Sequence, residues 1–557
     1  MPTTEPVAGP VLSPGERDPL HEGSPPELHW TTTNVGEAMP GVLTPLSWSV
    51  WRPVGRALPD FGHSIGALTA AERDRMSTPD GQPMRIFFGR AAFGLEYFAL
   101  LGDRLPGTTG PRAAESLLGH MPDGLVYRPT TRRYPVVACR FPMVFSRVPA
   151  RVRAAHAETA TWYRESLDAI PTLDRDGATR LLLDARERLV RLVTLQLTAV
   201  AAGLQPVYDA LEKLVAEAGV GDVATLSGAG GAEMVGLVGD LWKVSRGLLD
   251  IETVVREHGF HGPLEGELSS LVWREDPSPL HRLVCEYARR DERADPVLRE
   301  QARAREAARM RPELLAALPR SRRPVARVVL ALAARRLPLR GVVKESLLQA
   351  FDVARAAARH LGAHLAAAGV LAEPGDVFFL TVDELSDLPG DLRELVATRK
   401  QRREAYRGID IPADWRGSPE PAAREPGRLD GGAVLTGIGV SAGTVEGVVR
   451  VVVDPSEELE PDEILVAPTT DPSWSSIMFV SRALVVDIGG VLSHAAVVAR
   501  ELGLPCVVNT RTGTRTLRSG DRVRVDGSAG TVEILERAPD PAGAPAPSMK
   551  EATDVGR

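Results

Sequence analysis

The residue types best suited to chemistry gather in one short stretch near the C-terminus, from Asp487 to Val508. Its sequence, DIGGVLSHAAVVARELGLPCVV, leads from an apolar strand through Gly489 and Gly490 to Ser493 and His494. A serine directly before an apolar-periodic run is typical of a helix N-cap, so His494 is predicted in the first helical turn. Free backbone N–H groups and the positive end of the helix dipole favour an anion there. A histidine at this position is suited to holding a phosphoryl group.

The neighbouring residues fit the same interpretation. The helix dipole disfavours imidazolium by roughly 0.3–1 kcal/mol, which keeps a histidine neutral and nucleophilic near pH 7. Gly489 and Gly490 remove side chains where a bulky phosphate donor must approach the backbone. Ser493 either caps the helix or donates a hydrogen bond to the phosphate. For an isolated histidine the simpler alternative, a polar residue at a helix N-terminus, would be favoured.

The string GGVLSHAAVVAR resembles the phosphohistidine signature of the phosphoenolpyruvate-utilising enzymes, which include phosphoenolpyruvate synthase, pyruvate phosphate dikinase and rifampicin phosphotransferase. The resemblance extends over GIGVSAGTVEGVVRVV before the string and LRSGDRVRVDGSAGTVEIL after it. It implies a swivelling β/β/α domain whose histidine is transiently phosphorylated and moves between active sites. The catalytic residues that it implies are Gly489, Gly490, Ser493, Arg500 and the phosphohistidine itself, His494.

Upstream segments resemble the rifampicin phosphotransferase branch of that family, notably HWTTTNVGEAMPGVLTPLSWSVW (29–51) and LGAHLAAAGVLAEPGDVFFLTVDEL (361–385). The stretch HGFHGPLEGELSSLVWREDP (258–277) resembles a family motif written GHRGPxE and followed by WRED. Phe260 and His261 stand where His and Arg are commoner, and His lacks the bidentate fork of Arg. The resemblance implies that His261 and Glu265 are acceptor-site residues, with Glu265 a candidate general base. Alternatively, this Gly/Pro-rich stretch is only a helix connection.

Two other patterns favour a structural interpretation. LSGAGGAE (226–233) has close glycines but fails the GxGxxG pattern and lacks a preceding strand, so a helix-entry loop is favoured over a nucleotide site. His360 and His364 have the i, i+4 spacing of metal ligands, but neither an HExxH motif nor a third ligand is nearby in the sequence. Solvated or core histidines are therefore favoured, and no metal site is predicted.

Composition excludes several classes of function. The chain has 557 residues, 43% of them apolar and 25% charged, which is typical of a globular protein of several domains. A net charge of -7 gives no basic footprint, so nucleic acid is not expected as a partner. Cys139, Cys285 and Cys506 form no CxxC pair, which argues against disulfides and zinc. With neither a signal peptide nor a membrane span in the pattern, a cytoplasmic location is expected.

The fold class predicted is multidomain, with a mostly α-helical N-terminal and middle region and a C-terminal α/β swivelling domain. In the middle region, apolar residues recur at helical spacing: Leu182, Ala185, Leu189, Leu192 and Val193. Short β runs such as DEILVAP and ALVVDI mark the C-terminal domain. The predicted boundaries are a disordered tail (1–28), a mainly helical acceptor region (29–407), a Pro/Gly-rich linker without sustained helix or strand (408–432), the phosphohistidine domain (433–537) and a second tail (538–557).

A phosphoryl donor site is not recognisable in the sequence. Enzymes of the resembling family charge their histidine from an ATP-grasp domain or from a phosphoenolpyruvate-binding barrel, and neither fits the segments outside 29–537, nor does a P-loop string occur. The chain is therefore expected to bind no cofactor of its own. ATP and Mg²⁺ would act through a separate ATP-grasp partner, and His494 would pass the phosphoryl group to a small organic acceptor. Two alternatives remain: an ATP-dependent condensing or ligase component of a biosynthetic pathway, and a non-catalytic binding protein with a vestigial carrier domain.

Overall fold

The computed structural model describes most of residues 18–538, and the predicted combination of a helical N-terminal and middle region with a C-terminal α/β domain is confirmed. Outside the described part of the chain lie residues 1–17, 34, 119–120, 123, 221–222, 224–225, 227–231, 290, 293–294, 391, 424–432, 454–458, 461–462, 471–473, 475–476, 479–480, 491–492 and 539–557. Side chains of several helical residues, including that of His494, also lie outside it. The predicted loop 226–233 falls largely within these gaps.

The N-terminal part builds most of a four-stranded antiparallel sheet, whose strands lie in the order β2 (Met84–Phe87), β3 (Arg90–Gly94), β1 (His29–Thr31) and β5 (Asp414–Arg416), surrounded by short helices. Its elements are β1 (His29–Thr31), α1 (Val35–Ala38), α2 (Pro45–Trp51), α3 (Ala57–Ser64), α4 (Ala70–Met76), β2 (Met84–Phe87), β3 (Arg90–Gly94), α5 (Leu95–Arg104) and α6 (Gly110–Leu118). Thr44 caps α2 and Thr69 caps α4, each through its side-chain oxygen, as expected for N-cap threonines.

Long helices follow, and α15 (Leu339–Ala367) lies at their centre, packed on α7 (Tyr134–Ala169) and α8 (Arg175–Leu197). Every side chain from residue 346 to residue 358 of α15 is buried, which is typical of a helix surrounded on all sides. The helices are α7 (Tyr134–Ala169), α8 (Arg175–Leu197), α9 (Gln205–Ala218), α10 (Ala232–Ser245), α11 (Ile251–His258), α12 (Ser278–Ala288), α13 (Pro296–Ala317), α14 (Arg323–Arg336), α15, α16 (Val382–Ser386) and α17 (Leu392–Arg407).

The apolar stripe predicted for α8 is confirmed. Leu182, Ala185, Leu189 and Leu192 are buried in the main core, and Val193 packs partly buried against it. A π-helical turn, Thr198–Leu204, joins α8 to α9. Within the described residues, Arg175–Ala218 is the one helical stretch with the length and apolarity of a membrane span, and half of its most apolar window is buried inside the protein. A core helix meets the same criterion.

The N-terminal tail is shorter than predicted. Residues 18–28 pack on the helical region: Leu20 is buried, and the Tyr406 hydroxyl donates to the Asp18 carboxylate at 2.5 Å. The prediction of a disordered tail was based on the Pro- and Gly-rich composition of the segment. Its order comes instead from contacts with residues almost four hundred positions away, which local composition does not indicate.

The predicted linker also differs from the structure in its first half. It contains β4 (Ile409–Asp410), β5 (Asp414–Arg416) and β6 (Ala422–Ala423), and β5 pairs antiparallel with β1. These strands were not predicted because each has only two or three residues and lies among Pro and Gly residues. The partner of β5 is also far away in the sequence. The second half, 424–432, lies outside the described residues.

The C-terminal domain contains an eight-stranded mixed sheet with the order β7-β14-β13-β9-β10-β11-β12-β8. Strands β9 to β12 run parallel, and β10 and β11 are buried along their whole length, as parallel strands usually are. Its elements are β7 (Val434–Thr436), β8 (Ile438–Ser441), β9 (Thr444–Val451), β10 (Ile464–Ala467), β11 (Ala483–Val486), α18 (His494–Leu502), β12 (Cys506–Val508), α19 (Gly513–Thr516), β13 (Arg522–Asp526) and β14 (Thr531–Glu536).

Candidate functional site

Helix α18 places His494 as its first residue, in agreement with the prediction from sequence. Ser493 is the N-cap, with extended backbone angles and a side-chain oxygen that accepts from the Ala496 N–H at 3.3 Å. Gly503 ends the helix in the left-handed conformation, at a φ of 69°. Of the two roles left open for Ser493, the structure shows the cap.

Gly489 is required for a reason that the sequence did not indicate. A Cβ at this position would lie 3.0 Å from the Ser493 Oγ and 3.3 Å from the Val508 Cβ, closer than ordinary contacts. The Gly490 carbonyl oxygen accepts a hydrogen bond from the Ser493 N–H at 3.0 Å. Both glycines therefore shape the turn that presents the helix N-terminus, and their predicted role in admitting a phosphate donor stays a prediction.

Arg500 lies in the last turn of α18, six residues after His494, which corresponds to about 9 Å along the helix axis. Its Nε donates to the Val440 carbonyl oxygen on β8 at 2.7 Å. This contact ties the helix to the edge strand of the sheet. The structure thus gives Arg500 a structural contact, while its predicted catalytic role remains a prediction.

Asp487, at the end of β11, was missed as a candidate. Its carboxylate is buried and accepts from the Thr510 hydroxyl at 2.9 Å and from the Thr514 N–H at 3.2 Å. Burial raises the pKa of this carboxyl above its ordinary value, and the hydrogen bonds from Thr514 and Thr510 oppose part of that increase. Asp487 therefore fixes the 509–514 loop beside the segment that leads to His494.

The structure brings the two predicted acceptor-site residues into direct contact. The His261 Nδ1 lies 2.7 Å from the Glu265 Oε1, and the Lys344 Nζ on α15 lies 3.4 Å from the Glu265 Oε2. The side chains of His261 and Glu265 are 14% and 10% exposed. The carboxylate is therefore held between an imidazole and an ammonium group, with only a small accessible surface. Lys344 was not predicted, because a single lysine in a helical pattern carries no signal of its partner.

A second histidine lies next to this group. His258 ends α11, and its Nε2 lies 3.3 Å from the Asp240 Oδ2 on α10. Burial lowers the pKa of His258, and the hydrogen bond to Asp240 opposes part of that decrease. The nearby His261 lowers the pKa of His258 further. The environment of His258 thus favours a neutral imidazole.

The 259–277 loop, which carries His261 and Glu265, is anchored by the N-terminal segment. Glu267, 2% exposed, accepts from the Thr44 N–H and hydroxyl at 2.8 and 2.7 Å and from the Ser47 hydroxyl at 2.7 Å. The Trp51 indole donates to the Gly266 carbonyl at 2.8 Å. Two segments that resemble the same family, 29–51 and 258–277, therefore form one structural unit although about 220 residues separate them.

Helix α15 anchors the other side of the loop. The Arg355 Nη2 donates to the carbonyl oxygens of Glu265 and Glu267 at 3.3 and 3.2 Å. Asp352, fully buried, pairs with Arg355 and accepts two hydrogen bonds from Arg274 in the WRED segment, at 3.1 and 3.0 Å. The WRED resemblance thus corresponds to a buried ion-pair cluster that fixes the loop backbone.

Phe260, which departs from the family motif, is a core residue. It is 1% exposed and packs edge-on against Tyr163, with ring centroids 6.0 Å apart. The neighbouring Leu264 has a φ of 52°, in the left-handed region that costs energy for a residue with a Cβ. This strained turn directly precedes Glu265 and is held by the contacts of the loop on both sides.

Helix α1 connects the 259–277 loop to the C-terminal domain. A Cβ at Gly266 would lie 1.8 Å from the Ala38 carbonyl oxygen, so the loop backbone packs directly on the end of α1. A Cβ at Gly36 would lie 3.7 Å from the Ile488 Cδ1, in the segment that leads to His494. Helix α1 spans only four residues, about 6 Å. The 259–277 loop and the segment that leads to His494 therefore both contact α1.

Other contacts hold the C-terminal domain against the helical region. One cluster of buried apolar side chains includes Trp242 and Leu280 of α10 and α12 together with Trp474 and Met478 of the C-terminal domain. Arg515 on α19 forms an ion pair with Asp410 on β4.

A cleft of about 410 Å³ elsewhere, lined by His29, Leu95, Met121, Pro122, Asp414, Trp415 and Arg416, contains no residue of either site. Among the described residues, no group of three or more His, Cys, Asp or Glu side chains is arranged for a metal ion.

Two family models match this chain. Residues 459–530 match the mobile domain of the PEP-utilising enzymes, and residues 207–341 match the fourth domain of rifampicin phosphotransferase. The first match covers α18, and the second covers the 259–277 loop and the first residues of α15, up to residue 341. The resemblance predicted from the sequence is thereby confirmed.

Relatives extend the similarity over most of the chain. An uncharacterised protein of Mycobacterium tuberculosis is 30% identical over 585 residues, which cover 96% of this chain and 64% of the relative. Rifampicin phosphotransferases of Streptomyces sviceus and Bacillus subtilis are 44% and 35% identical over 178 and 174 residues, 31% and 30% of this chain and 20% of each enzyme. The chain thus spans 64% of the length of the mycobacterial relative.

Proposed function

We propose that this chain, which carries the mobile domain of the PEP-utilising enzymes, is a phosphotransferase component in which His494 carries a phosphoryl group to the hydroxyl of a small organic acceptor. In the first half-reaction a P–O bond of the donor breaks and a P–N bond to the His494 imidazole forms. In the second, the P–N bond breaks and a P–O bond to the acceptor forms. The acceptor hydroxyl proton passes to the Glu265 carboxylate.

The observation that carries this proposal is the position of helix α1 between the two sites. Gly266 of the 259–277 loop packs on Ala38, and Ile488 of the segment before His494 packs beside Gly36. Since α1 is one turn long, an acceptor near Glu265 would be within reach of the helix N-terminus that begins at His494. A carrier and an acceptor base on the same side of the molecule are what a transfer step needs.

The charges near Glu265 support its role as the base. A general base must be within hydrogen-bond distance of the proton that it removes and must retain its negative charge. Lys344 and His261 flank the carboxylate and stabilise that charge, and the backbone contacts from Arg355 fix the position of the residue. The ammonium of Lys344 would also stabilise negative charge on a transferring phosphoryl group.

The donor in this proposal is an ATP-grasp site on a separate polypeptide, which would bind ATP and Mg²⁺ in the cytoplasm. Phosphoryl transfer from a nucleotide needs a clamp for the phosphates and the metal ion. The described residues contribute the N-terminal turn of α18, which suits one phosphate, and the sequence contains no P-loop string.

Chemical loading with potassium phosphoramidate separates the two half-reactions without a donor protein. In Glu265→Gln, loading of His494 should proceed as in the wild type, whereas discharge to a panel of phenols and alcohols should be about 10²–10⁴-fold slower, as expected for loss of a general base. Phospho-His494 is followed by mass spectrometry of peptides. Equal discharge rates in the wild type and Glu265→Gln would remove Glu265 from the mechanism.

A matched control is Glu275→Gln, since Glu275 lies in the same loop but pairs with Arg359 at 2.7 Å instead of with His261. The Glu275→Gln variant should lose some stability. Its phospho-His494 should transfer the phosphoryl group to acceptors at a rate much closer to that of the wild type. Thermal unfolding of both variants separates loss of the base from loss of the loop structure.

A further inference from the structure

The paired histidines on the central helix gain a third neighbour in the folded chain. His360 and His364 lie one turn apart on α15, and their Nε2 atoms are 3.0 Å apart. Both Nε2 atoms converge on the Leu173 carbonyl oxygen, at 2.8 and 3.2 Å. Leu173 lies in the short connection between α7 and α8, so its place beside the two histidines is not predictable from the sequence.

Hydrogen bonding alone does not satisfy all three contacts. If both Nε2 atoms carry a hydrogen and donate to Leu173, the two N–H groups face each other across 3.0 Å. If only His360 carries the hydrogen on Nε2, the lone pair of His364 faces the lone pairs of the carbonyl oxygen at 3.2 Å. Every combination of neutral tautomers therefore leaves at least one repulsive contact, whereas a cation among the three atoms makes all three favourable.

The spacing fits one face of an octahedral metal site. Three ligands about 2.0–2.1 Å from a metal and at right angles are about 2.9 Å apart, whereas tetrahedral ligands are about 3.4 Å apart. The measured separations are 2.8, 3.0 and 3.2 Å. The two imidazole rings are nearly perpendicular, at 84°, so neither ring blocks the other. His364 is exposed, which leaves room for water molecules to complete the coordination.

We propose that His360, His364 and the Leu173 carbonyl bind a divalent first-row transition cation such as Zn²⁺ or Ni²⁺. Two imidazoles and no carboxylate select these cations over Mg²⁺ and Ca²⁺, which prefer oxygen ligands. The bound cation joins α15 to the α7–α8 connection. Since α15 also carries Lys344, Asp352 and Arg355, this cation would stabilise the helix that anchors the 259–277 loop, from a position outside that loop.

The test uses the full-length chain, freed of metal by chelation and titrated with Zn²⁺ in a calorimeter. The wild type should bind one Zn²⁺ at this site and unfold at a higher temperature when it is bound, since a ligand of the native state alone stabilises it. His364→Ala should bind Zn²⁺ at least about tenfold more weakly, because even the loss of an outer-shell partner costs 10–100-fold. Because His364 is exposed, this variant should fold like the wild type.

Two controls make the outcome specific. His281→Ala, which removes an exposed histidine on α12, should bind like the wild type, and Mg²⁺ should neither bind at this site nor raise the unfolding temperature. Equal Zn²⁺ affinity in the wild type and His364→Ala, or no binding by the wild type at micromolar Zn²⁺, would overturn the proposal. Neither result bears on phosphoryl transfer, because none of the three ligands belongs to the His494 or Glu265 sites.

Discussion

At the scale of single residues, burial sets the charge state of a group beside the predicted acceptor site. His258 is the clearest case, because burial lowers its pKa and neither Asp240 nor Glu257 fully restores it. Its neighbour His261 adds to the decrease. A neutral His258 at the end of α11 leaves the Lys344 ammonium as the cation beside Glu265.

This pKa shift predicts a pH dependence of stability. Between the lowered pKa of His258 and its ordinary value of 6.5, the unfolded chain binds more protons than the folded chain. The free energy of unfolding should therefore rise with pH through this window and fall as the pH drops through the folded-state pKa. Urea unfolding from about pH 5 to pH 7.5 measures the slope. In His258→Gln the slope should be smaller, and an unchanged slope would show that other groups cause it.

At the scale of elements, substitutions in helix α1 test the functional proposal most sharply. Gly36→Leu should place a large side chain against Ile488 and push the segment before His494 away from α1, since the Cβ alone already reaches contact distance. We expect slower discharge of phospho-His494 to acceptors, with loading by phosphoramidate unchanged. Gly36→Ala is the matched control, because its Cβ makes an ordinary contact at 3.7 Å and should be tolerated. Equal discharge in both variants would separate α1 from the transfer step.

Local signals determined which elements could be predicted. Ser493 and Gly503 delimit α18 in the sequence because N-cap and C-cap preferences act over a few residues. The pairing of β5 with β1 and the anchoring of Glu267 by Thr44 were not predictable, because their partners lie hundreds of positions away. The same holds for Lys344, whose role is visible only once α15 packs beside the 259–277 loop. The position of His494 at the start of α18 could therefore be predicted from the sequence, whereas the long-range contacts of the 259–277 loop could not.

At the scale of the whole molecule, the C-terminal domain is docked on the helical region, and under the proposed function it would have to leave this position to reach a separate donor. The Asp410–Arg515 ion pair is partly exposed, so it should contribute about 0–1 kcal/mol to that docking. Arg515→Ala should make the docked arrangement less populated and should speed limited proteolysis within the predicted linker, 408–432, with release of the C-terminal domain. Arg522→Ala, which breaks an ion pair within the C-terminal sheet, is the control. Faster cleavage in both variants, or cleavage outside the linker, would contradict this assignment of the hinge.

The most direct test of the central claim is the labelling of His494 from ATP. The wild-type chain, His494→Ala and His281→Ala are incubated with labelled ATP and Mg²⁺, with and without a separately supplied ATP-grasp protein, and acid-labile phosphate is measured. We expect stoichiometric label on the wild type and on His281→Ala only when the ATP-grasp protein is present, and none on His494→Ala. Label on the isolated wild type would contradict the proposal that the donor site lies on a separate polypeptide. It would still be consistent with His494 as the phosphoryl carrier. Label that persists on His494→Ala would contradict the claim that His494 carries the phosphoryl group.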